Sequence, residues 1–162
     1  MTSRGRALRR RLATVVLVGA VLGCSGGSTL DGSIGEAFDL SFSTVEIRRS
    51  ATAFQVTYLQ SEGREVIARI TVATEGIDLA KPVELGGEYA PGHPRTTVSR
   101  AVDGEPLLVL PPVEAGTLEL DGKAEAGQVV SGSFSVAFAE GGDIGAGRTL
   151  SGSFEGEVLE AR

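Results

Sequence analysis

This sequence has few of the residues from which catalytic and metal centres are built. It contains one cysteine and one histidine among 162 residues, so we expect no zinc site with three or four protein ligands. The single cysteine excludes an intramolecular disulfide, and the chain must fold on its hydrophobic core alone. His93 stands between Gly92 and Pro94, and no serine has the Gly-x-Ser-x-Gly context of a nucleophile. We therefore predict no catalytic residue, no metal and no cofactor.

Aromatic residues and positive charge are scarce as well. There is no tryptophan and there are two tyrosines, Tyr58 and Tyr89, so the stacked platforms that bind sugars or single-stranded nucleic acid are not expected. From Cys24 onward the chain keeps ten of its fifteen basic residues and all twenty-one acidic ones, which gives a formal charge of −11. Such a charge repels phosphate backbones, and we predict no nucleic-acid partner.

Carboxylates are abundant, and they are the candidate ligands for calcium. Asp143, and Asp103 together with Glu105, lie in stretches that are loops by composition, and their carboxylates are of the type that binds calcium. Neither stretch has the alternating acidic spacing of a calcium-binding loop. We keep both as weak candidates beside the simpler interpretation of flexible acidic turns.

Paired acids also serve glycoside cleavage, which requires two carboxylates on either side of the bond. Glu119 with Asp121, and Glu155 with Glu157, alternate with apolar residues in the sequence. That alternation predicts that they lie on the outer faces of strands as solubilising charge.

The N-terminus has the charge and hydropathy of an export signal. A cluster of arginines precedes Leu12, and the run from Leu12 to Val21 is apolar. Crossing about 30 Å of hydrocarbon takes about 20 residues, roughly twice this run, so a permanent helical anchor is not expected. We predict a signal peptide with a short helix over residues 1–23. The pair Arg10-Arg11 is compatible with export by the twin-arginine pathway. The residues that follow favour the general secretory pathway.

Val21-Leu22-Gly23-Cys24 resembles the lipobox of bacterial lipoproteins, with an aliphatic residue three before the cysteine and a small one directly before it. The resemblance implies a diacylglycerol thioether on Cys24, cleavage between Gly23 and Cys24, and acylation of the new amino terminus by a fatty acid such as palmitate. A free thiol or an intermolecular disulfide at Cys24 is the alternative. Ser25 is not the aspartate that retains lipoproteins in the inner membrane, so in a Gram-negative cell we expect the outer membrane.

The rest of the chain begins with a glycine- and serine-rich stretch and then alternates with a period of two. Residues 24–35 are typical of a lipidated cysteine with a flexible tether. Alternating apolar residues then predict strands over Phe38–Phe42, Phe54–Tyr58 and Val66–Val72, the last two joined as a hairpin. Leu107–Leu110 has the composition of a short buried strand.

One motif occurs twice near the C-terminus. Ser131-Gly132-Ser133-Phe134 recurs twenty residues later as Ser151-Gly152-Ser153-Phe154. We predict that the two copies are the arms of a hairpin with Glu140–Arg148 as its loop. Glycine on the inner face of each arm leaves room for an aromatic ring of the neighbouring strand.

These signals predict an all-β fold, an antiparallel β-sandwich or partly closed barrel of roughly seven to nine strands, as one domain over residues 36–162. The C-terminal half is similar to small uncharacterised all-β lipoproteins of bacteria, which implies a compact sandwich on a lipid tether and brings no functional residues. We expect a lipid-anchored, non-enzymatic protein of the cell envelope that binds a partner protein or has a structural role. The alternative is a carrier of a small ligand or lipid in a cavity between the sheets.

Overall fold

The computed structural model of the protein describes residues 27–87 and 94–161. These residues form ten β-strands and two short 3₁₀ turns, so the predicted all-β class is confirmed. The strands are β1 (Thr29–Asp31), β2 (Thr44–Arg49), β3 (Ala53–Gln60), β4 (Glu65–Ala73), β5 (Val83–Leu85), β6 (Thr96–Ala101), β7 (Leu108–Val109), β8 (Val113–Asp121), β9 (Val129–Phe138) and β10 (Thr149–Glu160).

The strands make one curled sheet with the order β5-β8-β9-β10-β2-β3-β4-β6-β7, and β1 pairs with β10 beside this path. We call β5, β8, β9, β10 and β1 the first half-sheet, and β2, β3, β4, β6 and β7 the second half-sheet. All pairs are antiparallel except β10 with β2, so the expectation of a purely antiparallel sheet is wrong at this one junction. The chain reverses its direction between β1 and β2, so β1 pairs antiparallel with the free edge of β10 at Ser151–Ser153 and β2 pairs parallel with it at Val158–Glu160.

The two half-sheets curl over one another and enclose a single cluster of apolar side chains. Tyr58 of β3 and Phe134 of β9 lie with their ring centroids 6.1 Å apart, although two strands separate β3 from β9 along the sheet. Phe54 and Phe154 make a second ring contact across the interior, also at 6.1 Å. The outward-facing residues of the two half-sheets therefore form two separate outer faces.

The terminal hairpin of β9 and β10 is the part of the fold that the sequence predicts best. Its two repeats pair so that Gly132 lies opposite Phe154 and Phe134 lies opposite Gly152. A Cβ atom on Gly132 would lie 2.7 Å from Cζ of Phe154, so the ring occupies the space that the missing side chain leaves. The predicted pairing of the repeats is confirmed, and the rings fill the space beside these glycines that a cavity between the sheets would need.

The predicted hairpin of β3 and β4 is also confirmed, and its inward residues Phe54, Val56 and Tyr58 are buried. The run Leu107–Leu110 contains the expected strand, but only one side of it is buried, since Leu110 belongs to the core and Leu108 packs against it. β7 is the last strand of the second half-sheet, and Leu107 and Val109 are 70% and 61% exposed. Prolines on both sides, Pro106 and Pro111, limit the pairing of this edge with another strand.

The N-terminal segment, residues 27–43, differs from the prediction in two ways. The part of the expected tether that the structure describes is folded: Thr29–Asp31 pairs with β10, and Ser33–Glu36 forms a 3₁₀ turn. Ile34 within that turn is 1% exposed and contacts the core. The expected strand at Phe38–Phe42 is an irregular stretch, because its residues pair with no neighbouring strand and reach the core through side chains alone.

Candidate functional site

Several residues singled out in the sequence lie outside the described ranges. They are Gly23 and Cys24 of the motif that resembles a lipobox, the predicted signal peptide over 1–23, and His93 and Tyr89 in the stretch 88–93. The predictions made for them stay predictions. Within the ranges that the structure describes, no helix is long and apolar enough to cross a membrane.

The two calcium candidates are exposed. Asp103 and Asp143 lie in loops at the surface, and Glu105 is in an ion pair with Arg100, with 3.7 Å between Nε and Oε2. No group of three potential metal ligands occurs among residues 27–87 and 94–161.

The outer face of the first half-sheet is built from small hydroxyl side chains. Because glycine and phenylalanine of each repeat point inward, the serines on either side of them point outward. The register places Ser133 opposite Ser153 and Ser135 opposite Ser151 on neighbouring strands. We call this surface the serine face: the outward residues of β8, β9, β10 and β1 around Ser131, Ser133, Ser135, Ser151 and Ser153.

Carboxylates border the serines on both sides. Glu119 and Asp121 on β8, and Glu155 and Glu157 on β10, lie on the outer face, as the alternation in the sequence predicts. β8 and β10 are two strand spacings apart, about 10 Å, and the short serine side chains of β9 lie between them. The result is a shallow depression of about 340 Å³ whose walls are acidic and whose floor carries hydroxyl groups.

Gly27, the first described residue, lies at the rim of this depression. Its carbonyl oxygen accepts a hydrogen bond from the outward-facing hydroxyl of Ser153 at 2.9 Å. The Ser28 hydroxyl accepts the backbone N–H of Glu155 at 3.2 Å, and the Ser153 hydroxyl accepts the N–H of Thr29 at 3.0 Å. The chain therefore enters the domain on the serine face, along the edge of β10.

The charge of the two half-sheets is unequal in a way that only the strand order reveals. The strands of the first half-sheet contain eight acidic residues and no lysine or arginine. The strands of the second half-sheet contain four arginines and two glutamates. The negative charge of the strands is thus concentrated on one side of the molecule.

The outer face of the second half-sheet carries two hydrogen-bonded pairs of polar side chains. Arg48 donates two hydrogen bonds to the Glu46 carboxylate, and these lower the pKa of Glu46 from its usual 4.5. On the next strands, the Gln55 amide donates to the Thr71 hydroxyl at 3.1 Å. We call this surface the arginine face: the outward residues of β2, β3, β4 and β6, including Arg48 and Arg69.

Arg100 is a residue that the sequence reasoning did not identify. Arg100 lies on β6, points inward and is 7% exposed. Its Nη1 donates to the backbone carbonyls of Asp39 at 3.0 Å and Ile67 at 3.4 Å, and its guanidinium stands 5.2 Å from the centroid of Phe38. Arg100 thereby ties the irregular N-terminal segment to the second half-sheet. Arg100 stands two positions after Val98, so alternation along a strand places both on the same face. This is the one signal in the sequence that Arg100 points inward.

The N-terminal segment also borders a large open groove of about 1010 Å³. Four half-buried apolar residues lie along it: Leu30, Phe38, Leu40 and Phe42. The groove opens to solvent at the surface and is separate from the packed interior between the half-sheets, whose largest buried side chains are Tyr58, Phe54 and Phe138.

Comparison with known proteins gives no relative from which a function follows. No family model matches the chain, and neither the curated proteins nor the solved structures contain a match. The residues and their geometry are therefore the only basis for a function.

Proposed function

We propose that this chain is a lipid-anchored protein of the bacterial cell envelope whose β-domain binds a partner protein without catalysing a reaction. The observation that carries the proposal is the sequence Val21-Leu22-Gly23-Cys24, which ends three residues before Gly27, a residue already hydrogen-bonded to Ser153 of the folded β-domain. Acyl chains on Cys24 anchor the chain because each buried methylene contributes about 0.8 kcal/mol, and two or three chains hold stably. In a Gram-negative cell, Ser25 after the cysteine favours the outer membrane.

Binding of a protein fits the domain better than carriage of a ligand between the sheets. The space beside Gly132 and Gly152 is filled by Phe154, Phe134 and Tyr58, so the interior of the half-sheets is packed. One observation favours the carrier as a second candidate: the open groove along residues 30–42, with its apolar side chains. Native mass spectrometry of protein purified from its own host tests it, since a carrier retains a bound species and an empty protein shows the mass of the chain alone.

The anchor is tested by intact mass and membrane partition of wild type and Cys24→Ala in a bacterial host. We expect wild type to begin at Cys24 with added acyl mass and to sediment with membranes. Cys24→Ala should lose both properties. Ser25→Ala is the matched control, because it alters a neighbouring small residue and keeps the cysteine, and it should behave as wild type.

The partner is tested by crosslinking in intact cells that make the acylated protein. One envelope protein recovered reproducibly with wild type, and lost when Cys24→Ala releases the domain from the membrane, is the expected result. Recovery of no reproducible partner, or a soluble and unmodified wild-type protein, would contradict the proposal.

A further inference from the structure

The link between the predicted anchor and the folded domain is very short. Hydrogen bonds to Ser153 and Glu155 fix the path of the chain from Gly27 onward. Three peptide steps separate Cys24 from Gly27, and a fully extended chain covers at most about 3.5 Å in each. A lipidated Cys24 therefore holds Gly27 within about 10 Å of the bilayer surface.

The thickness of the domain decides which face this link can bring to the membrane. Two packed sheets lie about 10 Å apart, and the side chains on each outer face bring the distance between the two faces to about 20 Å. Gly27 lies at the rim of the depression on the serine face. The arginine face is thus separated from the point of attachment by about twice the length of the link.

Resting on the lipid anchor proposed above, we propose that the short link Cys24-Ser25-Gly26 holds the serine face against the bilayer and turns the arginine face away from it. The serine face then contacts the headgroup layer of the membrane into which the acyl chains on Cys24 are inserted. The arginine face is left accessible to other proteins of the envelope.

The chemistry of the serine face suits contact with headgroups better than insertion among acyl chains. Hydroxyl groups of Ser131 and Ser133 form its floor, and the Glu119, Asp121 and Glu155 carboxylates stand at its walls. Carboxylates attract the ammonium groups of zwitterionic headgroups and repel anionic lipids. That repulsion is screened over about 8 Å at physiological salt, whereas the covalent link has a fixed maximum length. The link therefore sets the orientation, and lipid charge changes how closely the face approaches.

The test uses the acylated full chain with one added cysteine for a fluorophore. Acylation blocks the thiol of Cys24, the only native cysteine, so an introduced thiol is the sole site of labelling. Ser133→Cys on the serine face and Thr97→Cys on the arginine face are matched, since both replace exposed hydroxyl residues inside strands. The labelled proteins are placed in vesicles of phosphatidylethanolamine and phosphatidylcholine that contain a nitroxide quencher on the headgroup.

We expect quenching of the Ser133→Cys label to exceed that of the Thr97→Cys label several-fold, and Ser135→Cys to repeat the result at a second position on the serine face. Equal quenching on both faces, or stronger quenching at Thr97→Cys, in protein whose mass shows acylation would overturn the proposal. If the mass shows no acylation, the anchor itself is wrong, so the two failures are distinguishable.

A longer link tests whether the difference in quenching is caused by the length of the link or by attraction between the serine face and the lipid. About ten added Gly-Ser residues between Gly26 and Gly27 extend the mean span of the link to about 20 Å, the thickness of the domain. The difference between the two labels should then disappear. A difference of the same size after the insertion would show that the short link is not its cause.

Discussion

The terminal hairpin, residues 129–160, and the N-terminal segment, residues 27–43, lie side by side in the structure but acquire their structure in different ways. In the hairpin, two adjacent strands of alternating residues meet in the register that their glycines and phenylalanines require. The N-terminal segment is held by contacts with residues far away in the sequence, such as the hydrogen bond between Thr29 and Ser153, 124 positions apart. Periodicity therefore predicts structure where the partner strand is close in the sequence, whereas composition misleads where the partner strand is distant.

The two regions also meet directly. Arg148, at the end of the hairpin loop, donates to the Ser33 carbonyl at 2.6 Å and to the Glu36 carboxylate at 2.8 Å. Ile34 packs beside Gly145 of the same loop. The segment is therefore part of the folded unit, although its glycine- and serine-rich start is typical of a linker.

The largest effect is expected from Ile34→Ala, which tests whether the N-terminal segment stabilises the fold as the hairpin does. Ile34 is 1% exposed, and truncating a buried isoleucine of this kind costs about 3 kcal/mol in the free energy of unfolding. Urea unfolding measures the change. Ile144→Ala in the hairpin loop, at 59% exposure, is the control and should change stability by less than about 0.5 kcal/mol. An Ile34→Ala protein as stable as this control would show that the N-terminal segment does not stabilise the fold through Ile34.

A smaller effect is expected from Gly132→Ala in the hairpin. The added Cβ would lie 2.5 Å from the Glu119 carbonyl oxygen and 2.7 Å from the Phe154 ring, so the strands must shift, at a cost of about 2 kcal/mol. Gly142→Ala in the hairpin loop is the matched control, because a Cβ added there would have no atom within 4 Å. Equal urea midpoints for the two variants would show that the glycine–phenylalanine exchange is not needed for packing.

The smallest effect concerns acid stability of the N-terminal segment and is tested with Asp39→Asn. The backbone N–H of Ser41, which donates to the Asp39 carboxylate at 2.9 Å, lowers the pKa of Asp39 from 3.8. The stability that this carboxylate contributes is present above pH 3.8 and is lost as the pH falls through the lower pKa of the folded state. Asp39→Asn should therefore flatten the dependence of the urea midpoint on pH in the acid range. A pH dependence of the urea midpoint that Asp39→Asn leaves unchanged would contradict the assignment.

Three apolar stretches show which strands can be predicted from the sequence and which cannot. The alternation of Phe54, Val56 and Tyr58 places a buried face on one strand, because side chains in a strand point to opposite faces in turn. The same alternation at Phe38–Phe42 gives no strand, because hydrogen bonds to a neighbouring strand are what make an alternating segment a strand. Leu108 and Val109 are apolar, which is typical of a buried strand, but they form the last strand of the sheet. Their position at the edge depends on the strand order and not on their composition.

The candidate site likewise has features that alternation predicts and features that depend on which strands become neighbours. The outward position of Ser133, Glu119 and Glu155 is readable from alternation within each strand. Their assembly into one acidic, hydroxyl-lined face depends on β8, β9 and β10 being neighbours. The buried position of Arg100 depends on the N-terminal segment, whose Asp39 carbonyl it holds from 61 positions away.

By itself the sequence determined the all-β class, the terminal hairpin with its exchanged glycines and phenylalanines, and the lipobox-like motif that ends at Cys24. These are local properties, since side-chain direction, turn preference and short motifs depend on residues near one another along the chain. Only the tertiary structure decided the parallel junction of β10 with β2, the folding of residues 27–35 onto β10, and the separation of charge between the two half-sheets. Those features depend on which distant strands become neighbours, and that choice is made by the packing of the whole core.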